Sequence, residues 1–333
     1  MCNIRLAFFI VAPLWMRAPF ALAQQPPPHP LLGYGRGVDH IGIGVRDLIK
    51  SRHDYEELGF RFREGGRFPG GVSNTIIPFE NKTYLELLTV TPAPGDPAAH
   101  DLAAEEADFI RKHEGAMFLG LNVSSANATA SYLKTQNFDV EDPQPGSRMK
   151  EGETKPPPAQ WYILGIADKP APDKLGISLP VFFIEYLAAD RDDKWHKEGV
   201  TQHPNTALGV HAVWFAVRDV KSQLQRLRAA GLETDGSRDV DLLSAHGREV
   251  KAASGTMILL APNEKSSVLQ EYLSEYDEGI FAVSVEVSDL AKAQRIAESA
   301  GAGKVKTYKG AYGRSLLLPP HLTHGIWVEM FQR

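Results

Sequence analysis

One pattern occurs four times along the chain and constrains its fold more than any other feature. Each copy has a β-like run, followed two residues later by a side chain that can cap a helix. Twelve residues after each cap stands a glycine or asparagine, which tolerates the left-handed end of a helix. The caps are Asp47, Ser125, Asp219 and Asp289, and the stops are Gly59, Asn137, Gly231 and Gly301. The identical interval predicts four copies of one strand–helix unit.

Three further β-like runs follow each predicted helix, and the last run of each unit carries a carboxylate. These carboxylates are Glu86, Glu185, Glu271 and Glu329. The unit is therefore read as βαβββ. One such unit cannot bury its sheet face alone, so two should curl into a half-open barrel. The predicted fold is α+β: four βαβββ modules paired into two half-open barrel domains, 34–190 and 207–333, joined by a charged linker over 191–206.

The N-terminus is typical of an export signal. Arg5 gives a positive start, Leu6 to Trp15 is apolar, and Ala21-Leu22-Ala23 resembles a cleavage site. We expect a signal peptide over 1–23, an extended leader over 24–33 and a periplasmic or secreted protein. The single cysteine, Cys2, would leave with the signal. The mature chain would then have no disulfide and no thiolate chemistry.

Charge and composition limit the partners. The formal net charge is −5 and no long basic run occurs, so the footprint of a nucleic-acid-binding protein is missing. We expect a small-molecule ligand, no nucleic acid and, after signal cleavage, no membrane. A homodimer is left open.

Several motifs resemble those of the vicinal oxygen chelate superfamily, and more closely the glyoxalase-like domain family. The residues that carry the resemblance are Asp39-His40, Leu58-Gly59-Phe60, Pro69-Gly70-Gly71 with Asn74, Tyr84–Leu87 (YLEL), and Leu179-Pro180 with Ile184. The likeness covers residues 37–188 well, whereas residues 209–332 share only the repeat.

The resemblance implies a metal inside each active barrel, held by the first and last strands of both units. The first-strand positions, seven residues before each cap, hold His40, Phe118, Ala212 and Ala282. The first barrel thus keeps His40, Glu86 and Glu185 as predicted ligands of a divalent metal, with Fe, Mn, Ni or Zn suited to this set. The predicted activity is isomerase, lyase or dioxygenase chemistry on a small vicinal-oxygen compound, with Glu185 or Glu86 as the catalytic base.

Other readings stay open. Phe118 stands where glyoxalase I would have a ligand, and His100 or His113 could replace it. His211 is one residue out of register and would need a bulge to face inward. A metal-free small-molecule binding or sequestering protein of the bleomycin-resistance type is the alternative function, and a module for protein association is a third. The proline-rich stretch 142–180 is either a lid or a surface loop.

Overall fold

A computed structural model describes residues 28–91, 102–149, 155, 157–188, 191–240, 243, 245–263 and 267–333. The predicted signal peptide, 1–23, lies outside these residues. Within the described ranges, no helix is both long and apolar enough to cross a membrane.

The chain forms two eight-stranded sheets with the same topology. The first half comprises β1 (Gly37–Gly44), α1 (Leu48–Glu57), β2 (Arg63–Arg67), β3 (Val72–Pro78), β4 (Tyr84–Val90), α2 (Leu102–Lys112), β5 (Gly115–Asn122), α3 (Ala126–Thr135), β6 (Gln144–Gly146), β7 (Trp161–Gly165) and β8 (Val181–Tyr186). Its strand order is β2-β3-β4-β1-β5-β8-β7-β6. The central pair, β1 and β5, is antiparallel, and each joins the last strand of its own unit in parallel.

The second half follows helix α4 (Arg191–Lys197). It comprises β9 (Ala207–Ala216), α5 (Val220–Ala229), β10 (Glu233–Val240), β11 (Ala245–Ala252), β12 (Gly255–Pro262), α6 (Val268–Tyr276), β13 (Gly279–Val287), α7 (Leu290–Ala297), β14 (Tyr308–Lys309), β15 (Arg314–Leu318) and β16 (Trp327–Gln332). Its strand order, β10-β11-β12-β9-β13-β16-β15-β14, repeats that of the first half.

The repeat seen in the sequence is confirmed. All four caps accept a hydrogen bond from the backbone N–H three residues on, at 2.9–3.3 Å. All four stops have positive φ, from 64° to 95°. The fold is therefore α+β, with four βαβββ units paired into two curled sheets.

One predicted strand is wrong. Glu271 lies not on the last strand of its unit but in α6, whose N-cap Ser267 accepts from the Gln270 N–H. Leu269 and Leu273, four residues apart, are both buried, which is the spacing of a helix face. The last strand of the third unit is instead β12, so Glu271 occupies no interior position.

The predicted leader and linker are packed segments where the structure describes them. Residues 29–33 form a turn closed by two backbone hydrogen bonds between His29 and Gly33, and Leu31 and Leu32 are fully buried. This part of the leader is therefore not an extended arm. In the linker, the Asn205 side chain donates to the Leu58 carbonyl, which fixes the connection against the first half.

The two halves share one apolar core. A single cluster of buried residues contains Ile41 and Leu121 of the first half together with Val213 and Val285 of the second. Backbone contacts continue across the junction, because the Ser254 N–H donates to the Arg36 carbonyl at 3.0 Å. The halves are thus packed as one body.

A contact between a histidine and two carboxylates also joins the halves. His324, in the turn before β16, lies with Nδ1 2.9 Å from Glu114 Oε2 and Nε2 2.9 Å from Asp54 Oδ2. The hydrogen bond from His324 lowers the pKa of Glu114. A carboxyl group whose pKa is lowered by folding stabilises the fold above its unfolded pKa and loses this effect as pH falls through the folded value.

We expect His324→Ala to lower the free energy of unfolding by about 2 kcal/mol, because two partly buried carboxylates lose a hydrogen-bond partner. In the wild type, stability should also fall as pH drops below the ordinary Glu pKa of 4.5, and Glu114→Gln should flatten this fall. Urea unfolding between pH 3 and pH 7 measures both effects. His321→Ala, at an exposed position in the same turn, is the control. Equal losses in both histidine variants would contradict the contact's role.

Candidate functional site

The concave face of the first sheet carries the candidate site, and strand alternation decides which residues reach it. On β4, Leu85 and Leu87 join the apolar core beneath the helices, so Glu86 points to the concave face. On β1, a register shift between Val38 and His40 marks a bulge at Asp39. Val38 and Ile41 enter the core, while Asp39 and His40 turn toward the concave side.

His40 is buried, with 2% of its surface exposed, and is held by a polar network. Its Nδ1 lies 2.9 Å from Asp39 Oδ2, which also accepts from the Tyr186 hydroxyl at 2.7 Å. Arg36 contacts the other oxygen of Asp39 at 2.5 Å. The ring of Tyr84 stacks on the imidazole at 4.5 Å. Asp39 thus orients His40 so that Nε2 faces the interior.

Glu86 lies opposite that nitrogen. The distance from His40 Nε2 to Glu86 Oε2 is 3.7 Å, and 13% of the Glu86 side chain is exposed. The Asn74 amide donates to Glu86 Oε1, and the Gly66 N–H fixes Asn74 by donating to its Oδ1 at 2.7 Å. The structure therefore brings two of the three predicted ligands together and supports one of them with an oriented amide.

Two phenylalanines fill the other side of the site. The rings of Phe118 and Phe182 lie 5.4 Å apart, and each lies within 6 Å of the His40 ring. Glycine makes room for them: a Cβ at Gly42 would lie 2.2 Å from Phe118, and one at Gly120 would lie 2.4 Å from the His40 ring. Both phenylalanines remain partly exposed, so this wall is open to solvent.

Glu185, the third predicted ligand and a predicted base, is not brought to this site. Its Oε2 accepts a hydrogen bond from the Ala126 N–H at 2.8 Å, so it caps the start of α3. Phe183, two residues before Glu185 and therefore on the same face of β8, is part of the apolar core, whereas Phe182 and Tyr186 reach the concave side. Glu185 thus lies on the helix-covered face, opposite His40 and Glu86.

The strand register identifies the position that Glu185 was expected to hold. On β1, the residue two positions after His40 is Gly42, and Glu86 of β4 pairs with it. The equivalent residue on β5 is Gly120, and its partner on β8 is Phe182. The four interior positions of the first half are therefore His40, Glu86, Phe118 and Phe182.

These residues do not fit the metal that the superfamily resemblance implies. Two of four positions are hydrocarbon rings, which supply no donor atom. In the described part of the chain, no group of three or more His, Cys, Asp or Glu side chains is arranged to hold a metal ion. His40 and Glu86 alone leave a divalent ion short of the usual three protein ligands.

A further carboxyl group near this site was not predicted. Burial raises the pKa of Glu106 on α2 to about 7, and the charge of Glu86 adds to the rise. α2 packs against β4, which places Glu106 on the Glu86 side of the site. Folding therefore favours the protonated form of Glu106 more than that of an ordinary glutamate.

The remaining candidates lie elsewhere. The equivalent interior positions of the second half hold Ala212, Ile258, Ala282 and Glu329. Glu329 is fully buried and accepts from the hydroxyls of Ser284 and Tyr308, at 2.6 and 2.8 Å. This half therefore has one donor residue among the four positions.

The histidines considered as substitutes do not complete the first site. His113 packs edge-to-face against Phe109 and Tyr276, and His100 lies outside the described residues. His211 lies at a β-bulge, because β9 shifts register between Val210 and Ala212, and such a bulge is what allows its side chain to face inward. It packs on Tyr312 in the second half, and burial, followed by Arg333, lowers its pKa to about 4.

The stretch 142–180 contributes strands as well as loop. β6 and β7 extend the first sheet, and Trp161 pairs with Tyr186 on the concave side. Met149 forms a bridge with Arg67 of β2, so the two edges of the curled sheet meet at one point. This contact partly closes the barrel around the site.

The sequence offers uneven signals for the residues that were missed. Asn74 belongs to the motif that carries the family resemblance, so its role as a hydrogen-bond donor to Glu86 could have been predicted. Asp39 precedes His40, but its inward orientation depends on a bulge that no local pattern marks. Glu106 lies in a helix between two units, outside the repeat, and nothing in the sequence distinguishes it from neighbouring Glu105.

Comparisons with known proteins agree with this architecture. The family model described as "Glyoxalase-like domain" matches residues 38–231. No curated protein sequence matches the chain. A hypothetical protein from Staphylococcus aureus is 14% identical, with a TM-score of 0.59, covering 89% of this chain and 99% of that one. A mutant of 4-hydroxymandelate synthase from Streptomyces coelicolor is 15% identical, with a TM-score of 0.59 and coverage of 90% and 93%. At these identities the likeness concerns the fold.

Proposed function

Because the chain belongs to the glyoxalase-like domain family, we propose that its first half binds a small molecule on the concave face without a metal. The observation that carries this proposal is the replacement of two of four interior positions by Phe118 and Phe182, which pack against His40. The remaining polar pair, His40 and Glu86, is positioned to form hydrogen bonds with a ligand.

The lining suggests the ligand's chemistry. The partly exposed rings of Phe118, Phe182 and Trp161 favour a planar, unsaturated or aromatic body in the ligand. Glu86 accepts hydrogen bonds, and His40 Nε2 offers a second polar contact nearby. A compound with two adjacent hydroxyl oxygens on a ring matches both features.

We also propose that the chain is exported. This rests on Arg5, the apolar run from Leu6 to Trp15 and the cleavage-like Ala21-Leu22-Ala23. Mass spectrometry of the protein expressed in a bacterial host with intact secretion should find Gln24 as the first residue, in the periplasmic or secreted fraction. A full-length protein in the cytosol would contradict export.

Catechol serves as a probe of the binding site because it is aromatic and carries two adjacent hydroxyls. We expect the mature protein to bind it saturably in calorimetry, with a Kd of about 1 mM or tighter, and equally well with EDTA or with added Zn²⁺. Glu86→Gln and His40→Ala should each weaken binding about tenfold, the effect of losing one hydrogen bond of about 1.4 kcal/mol.

His53→Ala is the matched control, since His53 is exposed on α1 and should leave binding unchanged. Elemental analysis of the mature protein and of His40→Ala accompanies the titration. About one metal ion per chain, lost in His40→Ala and required for binding, would overturn the proposal. That result would support the metal-dependent isomerase, lyase or dioxygenase that the sequence predicts.

A further inference from the structure

A second, separate pocket lies on the helix-covered side of the second half. It is an open groove of about 740 Å³ between α5 and α6, with the ends of β11 and β12 as its floor. The positively charged or titratable residues that line it are Arg218, Lys221, Arg228, His246 and Arg248. They come from the loop before α5, from α5 itself and from β11. The volume is within the usual range for small-molecule sites.

Positive charge in this groove is not balanced locally. Among the described lining residues Asp219 is the only acid, and its carboxylate caps α5 by accepting from the Ser222 N–H at 3.1 Å. Arg218 is paired with Asp277. Lys221, Arg228 and Arg248 form no salt bridge with any residue that the structure describes. These three cations, none of which is in a salt bridge within the described ranges, contrast with the chain's net charge of −5.

Arg248 gives the more specific indication. Its Nε is buried and has no hydrogen-bond partner within the described ranges. Leaving such a donor without a partner is unfavourable, since a buried polar group normally has one. Arg248 lies on β11 and lines the groove, so an acceptor bound there is a direct way to provide the missing bond.

The rest of the lining is apolar or neutral. Leu224, Leu273 and Pro262 form part of the wall, and the amides of Gln225 and Gln270 add neutral hydrogen-bonding groups. We propose that this groove binds an organic phosphate, with the phosphoryl oxygens at Arg248, Lys221 and Arg228 and a small apolar part against the leucines. Arginine suits this role because its planar fork matches the spacing of phosphoryl oxygens.

Phenyl phosphate and inorganic pyrophosphate are the probes, titrated calorimetrically into the mature protein at low and moderate salt. We expect saturable binding of one molecule per chain. Arg248→Gln and Lys221→Gln should each weaken it about tenfold or more, as expected for losing a charged hydrogen bond. Lys292→Gln, at an exposed position on α7, is the matched control and should bind like the wild type.

Glu86→Gln tests independence from the first half, and it should leave phosphate binding unchanged. Thermal unfolding of each variant verifies that the fold persists. This is expected because Lys221 is exposed and Arg248 is partly exposed. The proposal fails if neither probe binds saturably, or if Lys292→Gln weakens binding as much as Arg248→Gln. The second result would indicate that the probes respond to positive charge anywhere on the protein rather than to a specific binding site.

Discussion

The double substitution Phe118→His with Phe182→Glu should convert the first half into a metal-binding protein. The register places both positions beside His40 and Glu86, so the variant would present two imidazoles and two carboxylates to one point. Four such donors suit Zn²⁺ or Ni²⁺. We expect one ion per chain, bound about 100-fold or more tightly than by the wild type.

Metal binding should also raise stability, because an ion that binds only the folded state stabilises it. At a free metal concentration of about 100 times Kd, the gain is about 2.7 kcal/mol. Thermal unfolding with and without Zn²⁺ measures it. The matched control is Phe118→Leu with Phe182→Leu, which removes the rings but adds no donors. If both double variants bind zinc equally, or neither binds it, the assignment of the four interior positions is wrong.

Gly120→Ala should be strongly destabilising, although the change adds only one methyl group. Its Cβ would lie 2.4 Å from Cε1 and 2.6 Å from Nδ1 of His40. The imidazole cannot easily move, because it stacks on Tyr84 and contacts Asp39. Overpacking of this kind costs about 1–3 kcal/mol, and we expect the upper part of that range in urea unfolding.

Gly165→Ala provides a control within the same sheet, since no atom lies within 4 Å of its added Cβ. We expect it to change stability by less than about 0.5 kcal/mol. In the His40→Ala background, Gly120→Ala should cost much less, because the clashing ring is gone. Additive losses in the double variant would show that the close approach to His40 is not the cause.

The repeat could be predicted well because its signals are local. A cap and a stop separated by twelve residues define a helix through backbone hydrogen bonds alone, and each of the four copies keeps both. Glu271 shows the limit of the same reasoning. A short run with apolar residues on either side of a carboxylate is compatible with both a strand and a helix. Around Glu271, tertiary packing stabilises the helix.

The candidate site was predicted in part for a related reason. His40 and Glu86 lie on adjacent, paired strands of one unit, so their approach follows from a motif within about 50 residues. Glu185 depended on the face of a strand in another unit, and a shift of one residue moves a side chain across the sheet. The local sequence around Glu185 resembles that around Glu86, but the hydrogen-bond register puts Phe182 at the interior position.

The apolar core that runs through both sheets makes the second half indispensable whether or not it performs chemistry. Deleting it would leave the undersides of β1 and β5 facing water, so selection for folding alone is enough to retain it. The interior of the second half therefore needs no reactive side chains for folding, and alanines occupy two of its four interior positions. Its outer surface can likewise carry a binding site of its own without disturbing the concave face of the first half.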